Sequence, residues 1–592
     1  MANPKGYPAG VIAPHPKSLL IIALLALSPL LPRTVLAAHT GSVGQPGETF
    51  QPEPQDSGVI ARRKLLNISR RLAEADARER PWAALLRGDF NLARKVLENP
   101  RPAAVDLGNS LRLIQRDLRR LSKVDLTPLE RARVASMDGW VRALRNIYDA
   151  QASSRTDPLN FTRQVERVLL TLLGSGALPL QQRLALLEAY ITKLPAHWDA
   201  ARAGLITPVH SWALEAAEEI LTIDRLLRED LLATTAAVQL GERAQARLEE
   251  HLETAADATI EFRNWLIASP GATGRPRKGL GDQTFEVILE ALTGRSRPTR
   301  ILRAELLDVI AASDIGRLTA AESKATTPAT PAQVQAGLSL GLRAGSQLFD
   351  SENLAAITPK PVVTPGVFPG GTQPSELVFL IPAKDGSYRL CIESTNRAWS
   401  LPLLRGLSGV ASTLTLAAEG LRRGPSGEAL LRNAFLALPE SGRMPFLLEP
   451  FAEGFGLYST DAAIRYSIPA ESPGAELLKR GAARLLLFDA ARLLASIETH
   501  AMGLEEAEVL DNFRLRTGIT QELAQVEVDR VWHEPLRGAA ILGYMEFRAL
   551  EDTLAGSMSR VEAARRTIAL ALVAPGVRPV DLTAQLPDAS GR

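Results

Sequence analysis

Cysteine is almost absent from this chain of 592 residues, in which Cys391 is the single one. A single thiol excludes an intrachain disulfide, even in a compartment that would allow one to form. Cys391 lies in the alternating stretch Tyr388–Glu393. The sequence therefore predicts a buried strand thiol in preference to a nucleophile.

Histidine is also scarce, and no histidine lies between His251 and His500. A catalytic zinc ion is held by about three protein ligands, keeps a position open for water and needs a nearby carboxylate. His533 and Glu534 form the single His-Glu pair, but Arg537 stands four positions after His533, where a helical zinc site needs a second histidine. The pair is therefore interpreted as non-catalytic.

The composition shows neither a strong excess of one charge nor a shortage of apolar residues. Hydrophobic residues make up 46% and charged residues 23% of the chain, and the formal net charge is +2. These values are typical of a globular protein with a large core, and the length favours more than one domain. Basic residues are interspersed with acidic ones, so nothing indicates a nucleic-acid partner.

The first residues read as an export signal. Lys17 precedes the apolar run Leu19–Leu27, and Ala37 and Ala38 offer a small-residue cleavage site. The run is too short to span a bilayer comfortably, and no cysteine follows it for lipid attachment. We expect an exported protein, periplasmic or extracellular, that is cleaved near Ala37 or Ala38, with an uncleaved N-terminal membrane anchor as the alternative.

The mature chain divides by composition into a tether, a helical region, a crossing segment and a C-terminal region. Apolar residues in the second part recur at three- and four-residue spacing, which predicts helices. Thr127 and Glu130 have capping-box spacing around Pro128. Thr207-Pro208 repeats the N-cap threonine and the first-turn proline. The predicted bounds are 1–38 for the signal peptide, 39–58 for the tether, 59–324 for the helical region, 325–374 for the Pro/Gly-rich crossing segment and 375–592 for the C-terminal region.

One hairpin is predicted in the C-terminal region. Leu377–Ile381 and Tyr388–Ile392 are rich in β-branched and aromatic residues, and they flank a turn that contains Asp385-Gly386. An edge strand of this kind is suited to hold an extended peptide through backbone hydrogen bonds.

Two stretches of the C-terminal region resemble a single bacterial family. The first has Leu401, Pro402 and Leu404, and the second is the Glu-Gly-Phe-Gly-Leu-Tyr run Glu453–Tyr458. Both are similar to domain-of-unknown-function family 885 (DUF885), a secreted, mostly helical group related to gluzincin zinc peptidases. The family pattern is Leu-Pro-x-Leu, then His-Glu-x-x-Pro-Gly-His-His, and downstream Glu-Gly-Trp-x-Leu-Tyr.

The zinc motif of that family is lost in this chain. Its eight positions fall on Leu407-Ser408-Gly409-Val410-Ala411-Ser412-Thr413-Leu414, so that Leu407 stands for the first histidine, Ser408 for the catalytic glutamate, and Thr413 and Leu414 for the later histidines. Leucine has no lone pair, and threonine is a poor neutral ligand. The resemblance implies that the position of Glu453 binds zinc in the family. In this chain we interpret Glu453 as a relic hydrogen-bonded to a neighbour, with a place in a polar cleft as the alternative.

Further residues extend the resemblance and complete the set of candidate cleft positions. His500 matches a family histidine, and Val526–Arg530 contains the Glu-Val-x-Arg signature. Glu449, four residues before Glu453, could share its helix face, and Tyr458 closes the Glu-Gly motif. We interpret His500 as a histidine satisfied at a helix boundary, with a ligand-contacting role as the alternative.

The sequence therefore predicts a mainly α-helical, zincin-like fold with a small β-hairpin or sheet beside the cleft. The favoured function is an exported, catalytically inactive metallopeptidase homologue that needs no zinc and binds a peptide or a cell-envelope partner. One alternative is an active zinc hydrolase whose ligands are recruited from His500, His533, Glu453 and Glu449. A second alternative is a purely structural helical scaffold.

Overall fold

Helices dominate the computed structural model, as the spacing of apolar residues predicts. The protein is a multi-helix, mainly α-helical fold. No described helix contains an apolar stretch that is long enough to cross a membrane. The structure describes residues 57–86, 89–98, 104–151, 156–174, 179–231, 240–269, 279–319, 331–347, 363–368, 378–382, 388–393, 409–440, 443–445, 447–468 and 474–583. The export signal and most of the tether lie outside these ranges.

The first half of the described chain is a succession of helices. They are α1 (Ser57–Glu79), α2 (Pro81–Leu86), α3 (Phe90–Glu98), α4 (Ala104–Leu121), α5 (Pro128–Gln151), α6 (Leu159–Gly174), α7 (Leu180–Ile191), α8 (Leu194–Gly204), α9 (His210–Arg225), α10 (Glu242–Ala268), α11 (Asp282–Thr293) and α12 (Thr299–Ala312).

Two predicted helix starts have different outcomes. The capping box is confirmed, because the backbone N–H of Thr127 donates to Glu130 Oε2 (2.9 Å) and the backbone N–H of Glu130 donates to Thr127 Oγ1 (3.3 Å). The start predicted at Thr207-Pro208 is two residues early. Helix α9 begins at His210 after Val209, whose extended conformation (φ −64°, ψ 125°) keeps the preceding residues out of the helix.

The segment that the sequence marks as Pro/Gly-rich contains regular structure. Helix α13 (Pro331–Gln347) begins at a proline, which is favourable at the first helical position. Strand β1 (Val363–Phe368) tolerates a proline and a glycine because it lies at the edge of a three-stranded sheet of order β1-β3-β2. The segment is therefore more than the crossing loop that the sequence predicts.

The other two strands fall where the sequence predicts a hairpin. Strand β2 (Val378–Pro382) pairs antiparallel with β3 (Tyr388–Glu393), with Leu380 opposite Leu390. Cys391 lies in β3, as predicted. The Asp385-Gly386 turn lies outside the described residues, as do the side chains of the strands.

Helices return after the sheet. They are α14 (Gly409–Arg423), α15 (Glu428–Ala437), α16 (Glu449–Tyr466), α17 (Ala475–Ser496) with a π-helical turn at Ile497–Ala501, α18 (Glu506–Thr517), α19 (Gln521–His533), α20 (Ala540–Ala555), α21 (Arg560–Val573) and α22 (Pro579–Thr583).

Three large apolar cores hold the described helices together. One is built from residues of α1 to α3 and of α6 to α10, between Ala77 and Leu266. A second joins α1, α4 and α5 to the last helices, so that Leu72 of α1 and Ile568 of α21, both fully buried, share one core. The third centres on α17 and includes Phe513 of α18. The beginning of the described chain thus packs against its end.

Glycines of the Glu453–Tyr458 motif let α16 approach two neighbouring helices closely. A Cβ atom at Gly454 would lie 2.6 Å from the Cα atom of Gly543 in α20, and one at Gly456 would lie 2.6 Å from the carbonyl oxygen of Arg422 in α14. Helix α16 is therefore held between α14 and α20, with Glu453 directed towards α14.

Candidate functional site

The eight positions aligned with the family's zinc motif lead into helix α14. Leu407 and Ser408 lie outside the described residues, whereas Gly409 begins α14 and Thr413 and Leu414 lie within it. The side chains of Thr413 and Leu414 are not among those described. The backbone is helical at these two positions, where the resemblance implies a helix.

Glu453 binds two arginines of α14. Arg422 Nη2 donates to Glu453 Oε2 (3.0 Å), and Arg423 Nη2 donates to Glu453 Oε1 (3.3 Å). Glu449 is the first residue of α16, so Glu449 and Glu453 are one helical turn apart, as predicted. Both carboxylate oxygens of Glu453 are thus engaged by guanidinium groups.

The same two arginines bind further carboxylates. Arg422 Nη1 donates to Glu419 Oε1 (3.2 Å), Arg423 Nε to Glu419 Oε2 (3.3 Å), and Arg423 Nη1 to Glu428 Oε2 (2.9 Å). The side chains of Arg422 and Arg423 are only 6% and 7% exposed. This group, Glu419, Arg422, Arg423, Glu428 and Glu453, is called the arginine cluster below.

Charge in the arginine cluster is strongly stabilised. Burial alone raises the pKa of the Glu428 carboxyl, but Arg432 and Arg423 outweigh it and lower the pKa to about 2. Burial lowers the pKa of Arg422, yet Glu419 and Glu453 raise it above its ordinary value. These groups are therefore ionised at neutral pH.

Ion pairs continue from the arginine cluster towards the N-terminal helices. Arg422 lies 3.9 Å from Asp489, which pairs with Arg492 (3.1 Å). Arg492 and Arg537 both bind Glu527, each with a shortest distance of 2.9 Å. Further along, Arg537 binds Glu534 (2.9 Å), and Glu534 lies 3.8 Å from Arg163 of α6.

Sequence reasoning does not find the arginine cluster. The signal is present, because Glu419, Arg422 and Arg423 stand three and four positions apart on one helix and therefore share a face. Their convergence on Glu453 depends on how α14 packs against α16, which the spacing does not specify.

Tyr458 is a core residue. Its side chain is fully buried, and its hydroxyl donates to Glu551 Oε2 (2.8 Å). Burial and the neighbouring carboxylate raise the pKa of the phenol. The structure thus gives Tyr458 a packing role among the aromatic rings of α16 and α20. The ring centroids of Tyr458 and Phe547 are 5.7 Å apart.

His500 lies in the π-helical turn at the end of α17 and is 3% exposed. Its Nε2–H donates to the carbonyl oxygen of Val531 (2.9 Å), because a carbonyl can only accept. Burial lowers the pKa of His500 to about 4, so the ring is neutral at pH 7. Its Nδ1 has no partner among the described residues, so the predicted satisfied histidine is satisfied on one side only.

His533 ends helix α19, as expected from the proline that follows. Its Nδ1 lies 2.8 Å from Asp157 Oδ2, and both side chains are almost fully buried. The ring also contacts that of Trp212, with centroids 4.1 Å apart. The side-chain carboxylate of Asp157, which lies in the N-terminal half of the chain, therefore fixes the position of the His533 ring.

The described residues contain no group of three or more His, Cys, Asp or Glu side chains arranged to hold a metal ion. Glu453 is bound by arginines, His500 by Val531 and His533 by Asp157. The side chain of Glu449 lies outside the description. The described side chains in this region therefore do not form the ligand set of the zinc ion that the family would bind.

Together these observations define a multi-helix α protein with a buried arginine–carboxylate network. Comparisons with known proteins agree at the level of the fold. No family model matches the chain, and no curated protein matches it.

Two solved structures share the fold. A candidate lipoprotein from Colwellia psychrerythraea has a TM-score of 0.64 at 12% identity, covering 89% of this chain and 98% of that one. A candidate lipoprotein of unknown function from Shewanella oneidensis has a TM-score of 0.55 at 15% identity, covering 82% and 92%. A candidate oligoendopeptidase F from Bacillus anthracis reaches a TM-score of 0.30 at 11% identity over 91% and 94%, an overlap too low to carry an argument.

Proposed function

We propose that this chain is an exported, non-catalytic homologue of the zinc-peptidase-related family described above, and that it binds a peptide or a cell-envelope partner. The observation that carries the proposal is the arginine cluster. Glu453 is the one acid retained from the family's zinc set, and Arg422 and Arg423 occupy both of its oxygens.

Guanidinium groups take the electrostatic place of a metal ion in this proposal. A carboxylate buried without a cation is costly, and the two arginines, which also bind Glu419 and Glu428, supply positive charge to Glu453. For zinc to bind Glu453, Arg422 and Arg423 would have to give up contacts in a largely buried site. The replacement of the family's zinc-ligand residues and the arginine contacts of Glu453 both favour a site that does not bind zinc.

Export is supported by two independent features. The N-terminal sequence has the pattern of a signal peptide, and two structural neighbours with a similar fold are described as candidate lipoproteins. Peptide binding is supported by the resemblance to a peptidase-related family and by the edge strands of the small sheet.

A retention assay tests the proposal. The mature protein is dialysed against a mixture of random peptides, and retained and cleaved peptides are identified by mass spectrometry with and without added zinc. We expect retained peptides and no zinc-dependent cleavage. Zinc-dependent cleavage would favour the active hydrolase, and the absence of any retained peptide would favour the scaffold.

A further inference from the structure

Helices α1 and α4 expose a strongly basic surface. The stretch 57–73 contains five arginines or lysines and no acidic residue, and the stretch 109–126 contains five more against two aspartates. Over most of the chain basic and acidic residues are mixed, and the formal net charge of the whole is only +2. Positive charge is therefore concentrated on these two helices.

The two helices lie side by side with their charged ends together. Arg62 of α1 binds Glu130 at the start of α5 (3.0 Å), and further along α1 the Ser69 hydroxyl contacts the sulfur of Met137 (3.7 Å), so α1 and α5 are parallel. Helices α4 and α5 pack against each other and are joined by a short loop, which makes them an antiparallel pair. The end of α4 therefore lies beside the start of α1.

One carboxylate between α1 and α4 faces three guanidinium groups. Asp117 of α4 binds Arg71 of α1 (2.7 Å) and also lies 3.7 Å from Arg116 and 4.0 Å from Arg120. Arg71 above all lowers the pKa of Asp117, so this carboxylate is ionised at neutral pH. One negative charge matches one of the three arginines, and the other two charges have no further acid among the described residues.

Three more cations extend this surface. Lys64 lies seven positions before Arg71, and therefore on the same side of α1, while Arg119 and Lys123 lie at the end of α4. All three are exposed, and none has an ion pair in the described part of the chain. The set Lys64, Arg71, Arg116, Arg119, Arg120 and Lys123 is called the basic seam below.

The chemistry of the basic seam favours an extended anionic surface as its partner. Six cations around one carboxylate repel each other, and each is stabilised when a surface rich in phosphates approaches. Leu113, one turn before Asp117, and Ile60, one turn before Lys64, are 45% and 37% exposed. Exposed apolar side chains beside basic ones are typical of proteins that bind at a bilayer interface.

Two features of the sequence favour a lipid surface over a nucleic acid. Neither α1 nor α4 contains an aromatic residue that could stack on a base. The seam also follows directly on the predicted export signal and tether, the part of the chain that meets the membrane during export.

We propose that the basic seam binds the headgroups of anionic phospholipids at a membrane surface. The inference rests on export, which is part of the proposed function, and goes beyond the binding of a peptide. In this arrangement α1 and α4 face the bilayer.

Vesicle flotation tests the inference. The mature protein is mixed with vesicles of equal parts phosphatidylglycerol and phosphatidylcholine, or of phosphatidylcholine alone. We expect it to float with the anionic vesicles at about 0.1 M salt, to be released at about 0.5 M salt, and not to bind the neutral vesicles. Because each cation near an anionic surface raises affinity about fivefold, the variant Lys64→Gln/Arg119→Gln/Lys123→Gln should bind at least about tenfold more weakly.

Arg243→Gln/Arg300→Gln/Arg566→Gln is the matched control. It removes three exposed arginines of α10, α12 and α21 that likewise have no ion pair in the described part of the chain. Both triple variants have the same net charge, and the control should bind the anionic vesicles as the natural chain does. Thermal unfolding should show both variants folded, because only exposed side chains are replaced.

Equal losses of binding in the two triple variants would overturn the seam as the site, because net charge alone would then account for binding. Equal binding to neutral vesicles, or no flotation with anionic ones, would overturn the inference, while peptides retained by the same protein would leave the proposed function standing. Release from the vesicles by a single-stranded oligonucleotide, at a phosphate concentration below that of the phospholipid, would overturn the lipid assignment.

Discussion

Arg423 lies among three carboxylates, those of Glu419, Glu428 and Glu453, and its side chain is almost wholly shielded from water. Removing one partner of a buried ion pair is more damaging than the pair's net contribution, because the other charge stays buried without compensation. The arginine cluster should therefore be sensitive to single substitutions.

Arg423→Leu should lower the free energy of unfolding by about 3–5 kcal/mol, because it removes one guanidinium partner from three carboxylates at once and leaves Glu419 and Glu453 with Arg422 and Glu428 with Arg432. Denaturant titration checks this. Arg70→Leu is the control, since Arg70 makes a comparable pair of bonds to Glu440 (2.6 and 2.8 Å) on the surface and should change stability little. Equal effects of the two variants would contradict the account.

Two buried tryptophans offer a second comparison between single residues. Trp198→Phe removes the donor to Thr259 and should cost about 1–2 kcal/mol beyond the loss of ring area. Trp212→Phe removes an N–H that has no acceptor among the described residues and should cost less. Thermal unfolding of both variants measures the difference, and a larger loss in Trp212→Phe would show that its N–H has a partner.

Sequence reasoning reaches some of these residues and misses others. It places Glu453 and His500 at positions of interest through the resemblance, and it places His533 at a helix end. It does not anticipate the arginines or Asp157, because their contacts join residues far apart in the chain, such as Asp157 and His533. Spacing along a helix describes which residues share a face, not what that face meets.

Helix α16 shows how an element depends on small residues. Its Gly454 faces the backbone of α20 at Gly543, and its Gly456 faces α14 at Arg422. The two glycines lie two positions apart and therefore serve different neighbours. The Glu-Gly-Phe-Gly motif is thus explained by packing as well as by its resemblance to a zinc-ligand segment.

Gly454→Ala should destabilise the protein by about 1–3 kcal/mol, because the added methyl group meets backbone atoms that cannot rotate away. Gly204→Ala is the control, since nothing lies within 4 Å of a Cβ atom at that helix position. Chemical denaturation of both variants checks the prediction. A neutral Gly454→Ala would mean that α16 and α20 can move apart without cost.

Elements are predicted best where local chemistry decides them. The capping box at Thr127 and the strands of the hairpin follow from short-range signals. The predicted start of α9 is too early, and α13 and β1 are not predicted, because proline and glycine indicate a break without excluding a helix start or an edge strand.

At the scale of the molecule, acid should destabilise the fold. His500 has a pKa of about 4 in the folded protein and an ordinary value near 6.5 when unfolded, so the unfolded chain binds the extra proton and stability falls as pH drops through this window. The pKa of Glu428 is about 2 in the folded protein, below the ordinary pKa that it has in the unfolded chain. Its ionised form therefore stabilises the fold fully above that ordinary pKa, and this stabilisation is lost as the pH falls towards 2.

His500→Phe should reduce the loss of stability between pH 7 and pH 5 by about 2 kcal/mol, because the variant has no proton to gain on unfolding at this position. Denaturation midpoints of the variant and the natural chain at both pH values give the difference. An unchanged pH dependence would mean that His500 is already accessible to protons in the folded protein.

The mainly α-helical fold follows from composition and periodicity, whereas the arrangement of the cores does not. Leu72 near the start and Leu582 near the end of the described chain belong to one core. Contacts between such distant segments leave no local pattern in the sequence.

The zinc content of the purified mature protein tests the central claim most directly. The protein is incubated with zinc, dialysed and examined by elemental analysis beside Glu453→Gln. The account predicts far less than one zinc ion per chain in both proteins. One zinc ion per chain that disappears in Glu453→Gln would contradict it, because Glu453 would then be a metal ligand and not the partner of Arg422 and Arg423.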